Sequence, residues 1–222
     1  MKEEILQEEK GINYMDLALC AFAGLGVEVI YAFLLWPIIF GSPLNDWTAN
    51  QHIIHWVVTS LSWGIISYII LRSAKKKYEF DIFESGEKVK VWQWLCVILL
   101  VLFSVLVSYL SWNGFKVIKE FQYHGAFKLV FQYIYYFFET VLFILILVFG
   151  QKACEAWFKN KNIPYGGVVL GLTWGLAHIL TQGSLSVGLL SALGGFTYGI
   201  VYLLLNRDMK KTVPLVFIMF VL

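Results

Sequence analysis

Of 222 residues, 59% are hydrophobic, 18% aromatic and 14% charged, and the formal net charge is +2. That balance falls outside the range of water-soluble globular domains and leaves no basic domain for a nucleic-acid partner. Cys20, Cys96 and Cys154 lie in or beside apolar runs and read as small hydrophobes, not as a disulfide framework.

Several apolar stretches approach the roughly 20 residues needed to cross a bilayer. The expected fold class is all-α: a polytopic helical integral membrane protein, one transmembrane domain over residues 1–222. The tail MKEEILQEEKG is acidic and lacks a basic n-region, so the first span itself is expected to direct insertion. Six full spans are expected near residues 14–40, 52–71, 91–112, 128–150, 165–180 and 185–206. A seventh apolar run, 212–222, has 11 residues and reads as a half-penetrating end or a truncated span. The connection over 41–50 carries SPLND, a turn composition. The longest polar stretch, 72–90, holds a KKK run that either touches anionic headgroups or serves only as a topology signal.

Lys and Arg placement gives the expected orientation. Lys2 and Lys10, the six in 72–90, Lys152, Lys159 and Lys161, and Arg207, Lys210 and Lys211 put 14 on one side of these spans. Lys116, Lys119 and Lys128 put three on the other, so the N-terminus is expected to be cytoplasmic. Trp47, Trp56, Trp92, Trp112 and Tyr165 recur near span ends, as an aromatic belt requires.

Glu139 stands out because the run around it is otherwise apolar. A carboxylate at that depth must face a bundle interior or a water-filled cavity. Gln132, Tyr135, Tyr136 and Glu139 recur at i, i+3, i+4 and i+7, which places all four on one helical face. On the fifth span, Gly167, Gly171 and Gly175 form a seam that lets another backbone approach closely. The sixth repeats the device with Gly188, Ala192, Gly195 and Gly199. His178 lies on the fifth span's seam face, and it is the candidate partner of Glu139, expected within hydrogen-bonding or one-water distance.

Each of these residues also has a purely structural reading: a protonated glutamate as interhelical glue, a histidine as a packing residue. His52 and His55 have the i, i+3 spacing of a metal pair, but no third ligand is evident, so no metal and no cofactor are expected. Glu28, inside the first span, is a possible partner for one of those histidines. His124, in FQYHG, reads as a solvated loop residue.

The segments FFETVLF, LTWGLAHIL, GGFTYGIVYLLL and TVPLVFIMF resemble the CPBP family. These are intramembrane CAAX-type proteases and bacteriocin-processing or self-immunity proteins, also called Abi. The resemblance spans roughly residues 132–222. The family's motifs are E-E-x-x-x-R, F-x-x-x-H and H-x-x-x-N. The middle one is nearly kept as Trp174-x-x-x-His178. In the first, Glu139 remains, with Thr140 or Phe138 as its neighbour and Ile144 or Phe143 in the arginine position. In the third, counting from Pro214, the histidine position falls on Met219.

The resemblance implies a glutamate and histidine that activate water, with the second histidine and the asparagine stabilising the oxyanion. Glu139 and His178 would be the catalytic residues, and Gln132, Tyr135, Tyr136 and Trp174 the binding wall. Two functions stay open. One is a degenerate relative that binds a membrane-embedded or membrane-tethered peptide or protein, in a self-immunity or regulatory role. The other is an active endopeptidase using substitute groups such as Tyr135, Tyr136, Gln182 or Asn206. The expected location is the bacterial plasma membrane.

Overall fold

The computed structural model describes residues 2–84 and 86–222, with 2–6 by backbone alone. Every secondary-structure element among them is helical. The helices are α1 (Lys2–Ile30), α2 (Trp36–Phe40), α3 (Ala49–Tyr78), α4 (Val91–Trp112), α5 (Lys116–Phe158), α6 (Tyr165–Leu170), α7 (Leu176–Gln182), α8 (Leu185–Leu204) and α9 (Met209–Val221). A π turn, Tyr31–Leu35, joins α1 to α2, and a second, Gly171–Gly175, joins α6 to α7.

Local chemistry sets the ends. Thr48 and Gln51 form a capping box at the start of α3, with the Thr48 N–H donating to Gln51 Oε1 at 2.7 Å. Asp208 Oδ1 accepts from the Lys210 N–H at 2.9 Å and opens α9.

Five helices are long and apolar enough to cross a membrane: Gln7–Phe40, Ala49–Tyr78, Val91–Trp112, Lys116–Phe158 and Leu185–Leu204. The expected sixth, over 165–180, is helical but is not one of them. Its glycines, Thr173 and His178 dilute the apolar content, and the π turn interrupts it. Among the described residues, five helices thus meet the length and composition of a span, and the run over 165–180 is not among them. The outward surface is apolar, with Ile38 82% and Leu180 88% exposed.

Helix α5 is the central element, packed by α1, α3, α6 and α9. Leu142 to Phe149 are all buried, the mark of a helix apolar on every face that is covered all round. Its 43 residues do not form one rod. A straight helix would hold residues 120 and 136 about 24 Å apart, at about 1.5 Å per residue. Yet the Tyr136 hydroxyl donates to Glu120 Oε1 at 2.7 Å. The chain therefore folds back at Gly125, whose φ of 72° and ψ of 166° lie in a region open essentially to glycine. Residues 116–124 are thus a short helix lying against the start of the long one. His124 belongs to this helix and its ring stacks edge-on against Trp56, so it is not a loop residue.

Helices α6, α7 and α8 pack as an antiparallel pair through the glycine seam. A Cβ on Gly175 would lie 2.5 Å from the Ala192 Cα, and one on Gly171 would lie 2.8 Å from the Ala192 carbonyl oxygen. The partner of the seam is thus the next helix of the same chain. Helix α4 is the least covered of the long helices, touching α8, α5 and α9 only lightly.

Two substitutions separate conformational from steric roles of glycine. Gly125→Ala meets no atom within 4 Å, so its cost is purely the strained backbone. It should lower stability by about 1–3 kcal/mol in detergent thermal unfolding. Gly175→Ala must push α8 away and should lower the unfolding midpoint, whereas Gly26→Ala, which also meets nothing, should not. Equal midpoints for Gly175→Ala and Gly26→Ala would show that the seam is not tight.

Candidate functional site

The polar stripe of α5 opens onto one cavity of about 1350 Å³. Gln132, Tyr135, Tyr136 and Glu139 all line it, as do Trp174 and His178. The C-terminal parts of α1 and α4, the start of α3, α7 and the N-terminal part of α8 complete the wall. Because successive long helices alternate in direction, all these parts lie at one end of the bundle.

Trp174 connects the two residues singled out by sequence. Its indole Nε1 donates to Glu139 Oε1 at 2.9 Å. Its backbone carbonyl lies 2.8 Å from His178 Nδ1. A carbonyl only accepts, so Nδ1 carries the proton and Nε2 of a neutral His178 is left as an acceptor. No hydrogen bond joins Glu139 and His178 directly; they meet across Trp174. Glu139 is buried and His178 half-buried. The π turn places Trp174, which also packs against Phe143 and Phe220. Such single-turn insertions recur at functional sites.

Glu28 reaches the same cavity from α1. The Tyr135 hydroxyl donates to Glu28 Oε1 at 2.5 Å, and His55 Nε2 lies 3.6 Å from that oxygen. The Trp36 indole donates to His55 Nδ1 at 2.9 Å. An indole N–H only donates, so His55 Nδ1 is the acceptor and Nε2 bears the hydrogen that faces Glu28. His55 thus stands between Trp36 and Glu28, and Glu28 does have a histidine neighbour. Among the described residues no three His, Cys, Asp or Glu side chains are grouped as metal ligands would be.

Two charged groups were not anticipated from sequence. Glu120 is 4% exposed and is held by three donors: Tyr136 at 2.7 Å, Tyr133 at 3.1 Å and Gln132 Nε2 at 3.1 Å. Lys116 is also buried. Its ammonium donates to the Phe220 carbonyl at 3.2 Å and lies over the Tyr136 and Phe220 rings, 4.6 and 4.8 Å from their centroids. The signal was present as an i, i+4 Lys–Glu pair on the opposite face from Ile118 and Phe121, both of which point outward.

The groups named as substitute donors are mostly committed elsewhere. The Tyr135 and Tyr136 hydroxyls serve Glu28 and Glu120. Asn206 lies away from the cavity, bonded to Gln93 and to the carbonyls of Glu87 and Lys88. Gln182 does line the cavity. Thr140, beside Glu139, spends its hydroxyl on the Tyr136 carbonyl at 2.8 Å. Phe143, Ile144 and Met219 are buried and supply no N–H or O–H from their side chains. The cysteines are free.

Compared with known proteins, the chain matches no family model, no curated protein and no solved structure.

The Trp174–Glu139 bond is the one hydrogen bond to Glu139 among the described residues. Trp174→Phe keeps an aromatic ring but removes the donor. It should lower stability by about 1.5–3 kcal/mol, the usual worth of a hydrogen bond to a charged group, in thermal unfolding. An unchanged midpoint would show that the indole does not support the carboxylate.

Proposed function

We propose that the chain is a polytopic membrane protein of CPBP type whose bundle cavity binds a membrane-embedded or membrane-tethered peptide or protein. In this reading it is a degenerate relative of the intramembrane proteases, in a self-immunity or regulatory role. It lies in the bacterial plasma membrane with the N-terminus cytoplasmic, following the 14-to-three distribution of Lys and Arg. That orientation turns the cavity toward the outer side. The observation that carries the reading is the buried Glu139, lining a 1350 Å³ cavity with His178 and joined to it through Trp174. An intramembrane ionisable residue facing such a space marks a functional site.

The motif departures favour binding over cleavage. An oxyanion needs preorganised donors, and losing one costs about 10²–10³ in rate. Met219 lines the cavity without a donor, and the Tyr135 and Tyr136 hydroxyls already serve carboxylates. The second reading, an active glutamate- and histidine-dependent endopeptidase, draws support from one feature. The acceptor Nε2 of His178 and the second oxygen of Glu139 are both left for a water to meet.

Reconstituted wild type should retain membrane-tethered peptides without cutting them, and Glu139→Gln or His178→Ala should weaken retention. Cleavage by wild type that both substitutions abolish would establish the endopeptidase instead. Neither retention nor cleavage, with folding intact, would overturn the peptide reading.

A further inference from the structure

We infer that the cavity binds a protonated amine or guanidinium group carried on an apolar chain. This names the group that a bound peptide would present, and it rests on the peptide reading only for the carrier. Three carboxylates line the cavity: Glu28, Glu120 and Glu139. Among the described residues no Lys or Arg comes within 4.0 Å of any of them; the ion pairs that do form involve Asp81, Glu155 and Asp208. The histidine beside Glu28 has its Nδ1 taken by the Trp36 indole N–H. Glu120 and Glu139 are buried, and although Lys116 and Lys119 line the same cavity neither pairs with them, so a cation brought by a ligand is favoured there.

The hydrogen-bond accounting points the same way. Glu28 and Glu139 each receive their side-chain hydrogen bonds at Oε1, leaving Oε2 of each without a donor among the described residues. Gln132 lines the same wall, is 6% exposed, and its Oε1 has no hydrogen-bond partner. Its amide orientation is fixed, because Nε2 donates to Glu120 at 3.1 Å and to the Tyr136 hydroxyl at 2.8 Å. On the α5 stripe and at Glu28, three acceptor oxygens are thus left without a protein donor. An ammonium supplies three N–H groups and a guanidinium five, and neither supplies an acceptor that would compete. Charge-assisted bonds of this kind are about twice as strong as neutral ones.

Lys116 shows that this wall receives an ammonium: Tyr136 and Phe220 present their faces to it. Its own charge is directed at those rings and at the Phe220 carbonyl rather than at a carboxylate. Phe22, Val29, Phe33 and Leu190 give the same cavity an apolar lining, which suits an aliphatic or peptide carrier.

The test is binding to the full chain in lipid nanodiscs, with empty nanodiscs as baseline. The probes are an apolar 20-residue peptide with one central lysine, its leucine counterpart, dodecylamine and dodecanol. The lysine peptide should bind about tenfold more tightly than the leucine one, and Glu139→Gln should remove about that factor. Gln132→Leu, which leaves every carboxylate in place, should weaken it less. Dodecylamine favoured over dodecanol with the same dependence on Glu139 would support the same chemistry with a lipid-like source. Should Glu139→Gln fail to fold, Glu28→Gln carries the comparison. Charged and neutral probes bound equally, or a preference indifferent to all three substitutions, would overturn the inference. Peptide binding that ignores the lysine overturns it while leaving the peptide reading intact. Amine binding without peptide binding does the reverse.

Discussion

A carboxylate on the central helix must be kept away from apolar surroundings, and much of the structure answers that demand. Glu139 rides on α5, whose other residues at that level are aromatic or aliphatic. Turned outward it would be an unpaired buried charge, costing several kcal/mol. The bundle instead turns it into a cavity and brings an indole N–H to it. The same logic repeats twice on the same stripe. Tyr135 and Tyr136 rise from one face of α5 and hand their hydroxyls to Glu28 and Glu120, carboxylates from other parts of the chain. One polar stripe thus fixes how α1 and the folded-back segment meet α5.

The fold-back at Gly125 closes the end of the bundle. Without it residues 116–124 would continue the axis of α5 and carry Lys116 and Glu120 away from the stripe. With it, a short amphipathic helix lies inside out: its charged face turns to the cavity and Ile118 and Phe121 turn outward. The inward turn also lets Lys116 reach the Phe220 carbonyl of α9. Ser108 from α4 donates to the Leu222 carbonyl in the same region.

The parts of this arrangement that follow helical periodicity were legible in the sequence. The i, i+3, i+4, i+7 spacing placed Gln132, Tyr135, Tyr136 and Glu139 on one face, and that face lines the cavity. The four-residue glycine spacing marked a close approach, and α8 makes it. What periodicity within single spans cannot reveal is a contact made by chain reversal. Glu120 and Lys116 sit between apolar runs, where charge reads as loop, and only the unusual backbone at Gly125 brings them inward. The run over 165–180 departs from its expected span for a related reason. Residues 165–180 are apolar enough to suggest a helix, but the glycines that permit tight packing also lower hydropathy, and a π turn breaks the run.

The assignment of donors argues about chemistry more sharply than the number of polar groups does. The wall contains hydroxyls, an amide and an indole, which at first sight could stabilise a developing oxyanion. The donors around the α5 stripe point at carboxylates: Tyr133, Tyr136 and Gln132 at Glu120, Tyr135 at Glu28, Trp174 at Glu139. To serve an oxyanion, each would have to abandon a buried charge, a cost that offsets most of what a new bond could contribute. Redirecting them would also undo contacts that hold α1 and the 116–124 helix in place. Preorganisation here favours the charge already present, and it leaves acceptor atoms turned to the open space. A site built this way is suited to hold a donor-bearing guest, and poorly suited to stabilise new negative charge on it.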